Sequence, residues 1–183
     1  MKVEKTFIPG LLVIEPDFFP DNRGYFFESF NKEKYIDAGI TVEFVQDNLS
    51  KSTKHTVRGL HYQAGEFAQG KLCQVITGTV LDVAVDIRFG SPTFGKHFSV
   101  ELSGDNHRQI WIPPGFAHGF SVLTDEAIFS YKCTAKYDKP SERSIIYNDP
   151  VLGIEWKVDS PIVSDKDLKA KIFAEIEKEF FFT

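Results

Sequence analysis

Val80-Leu81-Asp82-Val83-Ala84-Val85-Asp86-Ile87-Arg88 is the stretch that decides the fold class. Leu81, Val83, Val85 and Ile87 fall on one side of an extended chain, and Asp82, Ala84, Asp86 and Arg88 fall on the other. That period of two belongs to a strand, because successive side chains of a pleated backbone point to opposite faces. Polar residues on the second face imply either half-burial in an antiparallel sheet or side chains turned into a wet cavity. Gly78 and Gly90 bracket the run and mark its turns.

Working outward, Phe94 to Leu102 and Arg108 to Ile112 read as further strands, separated by turns at Ser103 to Asn106 and Pro113 to Gly115. Phe120 to Leu123 and Ala127 to Cys133 follow, split by Thr124 to Glu126. Toward the N-terminus, Leu11 to Ile14 is a short apolar run, Pro20 to Gly24 a polar turn, and Tyr25 to Phe30 extended. Thr41 to Asp47 reads as a strand and Asn48 to Thr56 as a polar loop. Asn31 to Ala38 predicts one short helix stopped at Gly39. Beyond the N-cap candidate Ser164, Leu168, Ile172, Ile176 and Phe180 have roughly helical spacing and predict a C-terminal helix. Many short strands with Gly and Pro turns predict an all-β jelly roll or β-sandwich with short peripheral helices. The alternating helices of a parallel α/β sheet are missing, as are the phosphate loop and the glycine-rich dinucleotide fingerprint.

Composition narrows the functional classes. The chain has 183 residues, enough for one domain with a full core, so residues 1–183 are expected to form a single domain. Hydrophobic residues make up 42% and charged residues 26%, which excludes a disordered tail and a membrane protein. Lys and Arg total 21 against 26 Asp and Glu, a net charge of −5, which argues against a nucleic-acid partner. There is no apolar leader and no apolar span, so a cytoplasmic, soluble protein with no membrane partner is expected. Cys73 and Cys133 sit in apolar runs and read as small core residues. The chain also carries 18 Phe, which suit strands and thick inter-sheet cores.

Three polar clusters interrupt the strands. The first is Arg58-Gly59-Leu60-His61-Tyr62-Gln63 with Lys71, the second Pro113-Pro114-Gly115-Phe116-Ala117-His118, and the third Tyr131, Tyr137, Glu142 and Arg143 with Ser164 to Asp167. His61 alone reads either as a satisfied histidine at a sheet edge or as a base. Lys71 reads as a strand-end anchor or as a cation steadying a substrate oxyanion. Asp167 lies three residues after Ser164 and reads as part of a helix cap, as the carboxylate that orients His61, or as both. Tyr131 is either one aromatic of the core or a general acid. Imidazoles at 61 and 118 supply only two ligands, too few for a catalytic metal, so a metal-free and cofactor-free site is expected.

These segments carry a resemblance. Pro113-x-Gly115-x-x-His118 resembles the second cupin motif, while His61-Tyr62-Gln63 keeps one histidine of the first and Lys71 stands where a glutamate ligand would be. More specifically the chain resembles the dTDP-4-dehydrorhamnose 3,5-epimerase family. Phe19-x-Asp21-x-Arg23-Gly24-x-Phe26, Phe44-Val45-Gln46-Asp47-Asn48, Arg58 to Gln63, Gln69-Gly70-Lys71, Asp82 to Arg88, Ile112 to Phe120, Asn148-Asp149-Pro150 and Ser164-x-Lys166-Asp167 match in order over nearly the whole chain. The resemblance implies a cupin-type jelly roll and a homodimer sharing N-terminal strands. It implies a dTDP-linked 4-keto-6-deoxyhexose as substrate. It assigns His61 as the base with Asp167, Tyr131 as the acid, and Arg58, Lys71 and His118 to the sugar site. Arg23, Glu28, Gln46, Asn48, Glu142 and Lys166 are implied to contact nucleotide or sugar, with Phe26 and Tyr137 lining the pocket. The expected reaction inverts C3 and C5 through an enolate; the alternative is an epimerase that inverts only one of them. Tyr147 before Asn148 and Lys157 after Trp156 depart from the family pattern without touching a proposed catalytic group.

Overall fold

A computed structural model describes residues 1–183. In chain order the strands are β1 (Lys2–Lys5), β2 (Leu12–Glu15), β3 (Phe18–Asp21) and β4 (Gly24–Phe27), followed by helix α1 (Lys32–Asp37). The central run is β5 (Gln46–Thr53), β6 (Val57–Gln63), β7 (Lys71–Thr77), β8 (Thr79–Asp86) and β9 (His97–Ser103). It continues through β10 (Gln109–Ile112), β11 (Phe116–Val122), β12 (Glu126–Cys133) and β13 (Glu142–Ser144), and α2 (Asp165–Leu168) follows. A six-stranded sheet, β1-β2-β10-β7-β12-β5, packs on a five-stranded sheet, β13-β6-β11-β8-β9. All ladders between these strands are antiparallel, so the architecture is the expected jelly-roll sandwich.

Strand β8 shows how the sequence makes this sandwich. Val80 and Ala84 join the inter-sheet core with Cys73, Val75, Ile110, Phe120 and Phe129. The other face, Leu81, Val83, Val85 and Ile87, is buried too, under Ile145, Leu152, Trp156 and Phe173 from the C-terminal third. Half-burial was one reading of its alternation, and the strand is buried on both faces instead. The aspartates survive burial because each has partners. Asp82 meets His118, and Asp86 accepts from Arg88, Ser91 and Thr93. Each buried Val or Leu of this strand contributes roughly 1.5–3 kcal/mol relative to exposure.

Helix α1 matches the expected helix. Asn31 caps it by accepting from the Lys34 N–H, and Gly39 ends it at φ +90°. Its Tyr35 is buried on the outer side of the six-stranded sheet with Trp111 and Leu72.

Two expectations fail. Asn48 to Thr53 is strand β5, not loop, while Thr41 to Val45 is irregular. The inner row of β5 is Gln46, Asn48, Ser50 and Ser52, of which Gln46 and Asn48 line a polar cavity, so no apolar period advertises it. The C-terminal helix is also absent: α2 is a single turn, followed by a short 3₁₀ turn at Phe173–Glu175. Ile176 and Phe180 lie against the outer core separately, and Phe181 bridges Phe89. Packing onto the sheet defeats the local helical period, because an isolated helix of that length is marginal. The extended reading of Tyr25 to Phe30 holds over Tyr25 to Phe27, outside both large sheets. Strands β3 and β4 form a separate hairpin with Phe19, Tyr25 and Phe26 exposed.

Candidate active site

The site begins with a close crossing of two backbones. Gly59 sits at φ +119°, and a Cβ there would lie 2.6 Å from Gly119 Cα and 2.7 Å from the His118 carbonyl oxygen. Only glycine allows β6 and β11 to approach this closely. Their register shifts between His118 and Phe120, and His61 stands directly opposite His118. Three residues before His61, Arg58 donates Nε–H to Ser52 Oγ of β5 at 2.9 Å, which ties the guanidinium to the facing sheet.

His61 Nε2 lies 2.6 Å from Asp167 Oδ1. The imidazole is about one-third exposed, whereas the carboxylate is buried. Asp167 Oδ2 also accepts the Gly59 N–H at 3.4 Å, and its own backbone N–H donates to Ser164 Oγ at 3.2 Å. Ser164 therefore caps α2 alone, leaving the Asp167 side chain free to orient His61. Burial pushes this carboxyl up, but the hydrogen bond and charge of His61, then the Gly59 N–H and Ser164, outweigh it and hold it below the ordinary carboxylate range. With Asp167 as carboxylate, the proton resides on Nε2. Nδ1 then carries the lone pair. Nδ1 has no protein partner and is not among the buried unpartnered atoms, so it opens to solvent.

Tyr131 of β12 and Lys71 of β7 line the same cavity of about 250 Å³ as His61. Lys71 Nζ is 5.9 Å from the Tyr131 ring centroid and has no carboxylate partner. Burial, reinforced by the Cys133 and Cys73 thiols and opposed by Arg58, pushes the Tyr131 phenol up to about 12, so it keeps its proton at neutral pH. Gln46 and Asn48 complete one wall, with Gln46 Nε2 donating to Asn48 Oδ1 at 2.9 Å and Asn48 Nδ2 meeting Cys133 Sγ at 3.5 Å. At the mouth, Glu142 accepts from Tyr137 Oη at 3.2 Å and pairs with Lys166 at 2.5 Å. Burial raises the Glu142 carboxyl, and Lys166 and Tyr137 pull it below its usual range.

His118 is buried, and its Nε2 lies 2.9 and 3.1 Å from the two oxygens of the buried Asp82. Burial pulls this imidazole down, Lys71 and His61 add to the effect, and Asp82 opposes it. Cys73, Asp82 and His118 are the one group whose possible metal donors converge, within 4.8 Å of one another. The 2.9 Å spacing of Nε2 and carboxylate is that of a hydrogen bond. Tetrahedral zinc with such ligands at about 2.0 Å would hold them about 3.3 Å apart. The residues present fit a proton between these groups better than a cation.

The structure thus brings His61, Tyr131, Lys71, Gln46, Asn48, Tyr137 and Glu142 to one cavity, with Asp167 held to it through His61 and Lys166 through Glu142, while Arg58 bonds Ser52 and His118 meets Asp82 on the strands beside it. Three expected residues lie apart within the single chain. The Arg23 side chain is 85% exposed and binds Asp21, Phe26 is exposed on the hairpin, and Glu28 binds Asn31 and Lys34. The sequence reading assigned no role to Ser52 or to Asp82 in holding a functional group. Asp82 was visible as a polar residue breaking a buried strand, but its partner was not. Gln63, named in the first cluster but given no role, joins nearby loops by donating to the Phe67 and Lys136 carbonyls and accepting from the Asp138 N–H.

Comparison with known proteins points to one family. A family profile described as dTDP-4-dehydrorhamnose 3,5-epimerase matches residues 5–175. A dTDP-4-dehydrorhamnose 3,5-epimerase of Shigella flexneri is 54% identical over 97% of this chain and 98% of its own. A dTDP-6-deoxy-D-glucose-3,5-epimerase from Legionella pneumophila, solved in complex with dTDP-4-keto-L-rhamnose, superposes with a TM-score of 0.96 at 49% identity, covering 100% of this chain and 98% of that one. A Bacillus anthracis dTDP-4-dehydrorhamnose 3,5-epimerase with TDP and PPi bound superposes with a TM-score of 0.91 at 45% identity, covering 93% and 98%.

Proposed function

The chain belongs to the dTDP-4-dehydrorhamnose 3,5-epimerase family, and from that premise we propose how its residues invert C3 and C5 of dTDP-4-dehydro-6-deoxy-D-glucose to give dTDP-4-dehydro-L-rhamnose. The C4 ketone acidifies the protons on its two neighbouring carbons. His61 Nδ1 takes one of them, its Nε2–H held by Asp167, which also stabilises the imidazolium formed. The electron pair of the broken C–H bond moves onto the C4 oxygen as an enolate. Lys71, a cation with no carboxylate of its own, stabilises that charge in the cavity, with Arg58 nearby. Tyr131 gives its proton to the opposite face of the same carbon, which inverts it. His61 then releases its proton to solvent and the Tyr131 phenolate takes one back, and with both groups reset the second carbon follows by the same route. The ketone persists, so the step consumes no oxidant or reductant.

The observation that carries this reading is the His61–Asp167 pair, with its imidazole on the wall of the cavity that Tyr131 and Lys71 share. Gln46, Asn48, Glu142 and Lys166 are assigned to the nucleotide and sugar, and Tyr137 to stacking at the mouth. We assign Arg23, Phe26 and Glu28 to the site of a second copy in a homodimer, because the exposed aromatic hairpin that carries Arg23 and Phe26 leaves its own sandwich. The test is turnover in deuterium oxide. Label is expected at both C3 and C5 of a doubly inverted product, and label at one carbon alone would favour a mono-epimerase. His61→Ala is expected to lower exchange by at least about 10²-fold while thymidine diphosphate still binds, and unchanged exchange would reject His61 as the base.

A further inference from the structure

The mouth of the site depends on the shortest strand of the fold. β13 has three residues and lies at the edge of its sheet, with β6 as its one neighbour. Its first residue, Glu142, faces the mouth, where it accepts from Tyr137 Oη and pairs with Lys166. Side chains alternate along a strand, so Arg143 points to the other face. There its Nε and Nη2 donate to Glu179 Oε1 at 3.2 and 2.9 Å. Its Nη1 donates to the Pro140 and Glu142 carbonyls at 2.8 and 3.1 Å. One guanidinium thus ties down the backbone on both sides of Ser141, and its anchor is a carboxylate 36 positions further along the chain.

Glu179 is itself held in place. Its side chain is 18% exposed and Oε2 is buried without a partner, so the Arg143 fork supplies all of the carboxylate's hydrogen bonds. The carbonyl of the next residue, Phe180, accepts the Phe89 N–H at 2.9 Å, and the Phe182 N–H donates to the Phe89 carbonyl at 3.0 Å. The Phe180 ring stands edge-on to Tyr62, the β6 residue opposite Arg143, with centroids 6.2 Å apart. Arg143–Glu179 is the one side-chain bond between β13 and this tail. A forked, largely covered pair of this kind keeps one geometry. Lys171–Glu177 on the same tail is more than half exposed on both sides and constrains little.

We propose that Glu179 is a positioning residue: through Arg143 it holds Glu142 in place at the mouth, and so sets how tightly the substrate is bound without touching it. The inference rests on the epimerase reading above, in which Glu142 and Lys166 meet the nucleotide or sugar. The proton-transfer groups are fixed separately. Asp167 is held by the Gly59 N–H and Ser164, and Lys71 and Tyr131 stand on the opposite sheet. Loosening β13 therefore weakens ground-state and transition-state binding alike, which raises KM and leaves kcat unchanged.

The test reads deuterium incorporation into dTDP-4-keto-6-deoxyglucose across substrate concentrations. Glu179→Ala is expected to raise KM roughly five- to twentyfold, with kcat within about twofold of wild type. Glu179→Gln, whose amide oxygen still accepts from the guanidinium, is expected to stay within about threefold in KM. Glu177→Ala, on the same tail, should change neither constant. A double-mutant cycle separates positioning from general loosening. In a Glu142→Ala background, Glu179→Ala should raise KM less than about twofold further, because the residue it positions is already gone. A wild-type KM in folded Glu179→Ala, a loss confined to kcat, an equal rise in Glu177→Ala, or full additivity with Glu142→Ala would each overturn the proposal. If Glu179→Ala does not fold, Arg143→Lys decides. It keeps the charge but loses the fork, so its KM should rise comparably, and a wild-type KM would overturn the proposal. Absence of label from the wild type would instead sink the epimerase reading, and the role given to Glu179 with it.

Discussion

Asp167 links catalysis to acid stability. In the folded chain its carboxyl is held below the ordinary value, mainly by His61 against the opposing effect of burial. The unfolded chain has an ordinary aspartate near pKa 3.9. Between those two values the unfolded state binds more protons, so folding loses stability as pH falls. The stabilisation from this group is complete above the unfolded value and disappears as pH drops through the folded one. Wild type is therefore expected to lose more melting temperature between about pH 5 and pH 3 than Asp167→Asn, whose amide does not titrate. Thermal melts of both proteins across that window check this, and parallel curves would remove Asp167 from the acid-sensitive set. Tyr131, pushed up to about 12, keeps its proton throughout the same range.

At the scale of elements, the crossing of β6 and β11 is the joint on which the site depends. Gly59→Ala puts a methyl group within 2.7 Å of two backbone atoms at a positive φ that alanine rarely adopts. The expected cost is roughly 1–3 kcal/mol of stability. A shift of His61 by about 1 Å would also cost around 10²-fold in exchange rate. Denaturant melts and deuterium incorporation measure the two effects, and a variant with wild-type values in both would show that the strands can part freely. This crossing also illustrates what sequence reading can reach. Arg58-Gly59-Leu60-His61 stood out as a motif, and β8, β10 and β12 were legible because apolar residues recur at period two. Strand β5 was not, since half of its inner row serves a cavity and looks like loop. The C-terminal helix misled for the opposite reason: Ile176 and Phe180 are spaced for a helix but are buried by the sheet beneath them. Likewise, a carboxylate such as Asp82 is visible in sequence, but its partnership with His118 exists only once β8 and β11 lie side by side.

For the whole molecule, the β3–β4 hairpin decides whether one chain suffices. Phe19, Tyr25 and Phe26 are more than half exposed on it, and within the chain Phe18, Tyr25 and Phe27 pack on one another and on His107. A second copy that covers this face would bury the aromatics and deliver Arg23 to a diphosphate. Sedimentation is expected to give a species of roughly twice 20.8 kDa, the commonest symmetry for such assemblies. A fully active monomer would contradict both the assembly and the assignment of Arg23.

The carboxylate that orients His61 comes from 106 positions further along the chain and rides on a one-turn helix whose Leu168 is half exposed. Such a turn frays at a far smaller free-energy cost than the sandwich needs to come apart. Gentle warming is therefore expected to free the imidazole from its guide while the strands still hold, which would show as a loss of exchange below the melting temperature that cooling reverses.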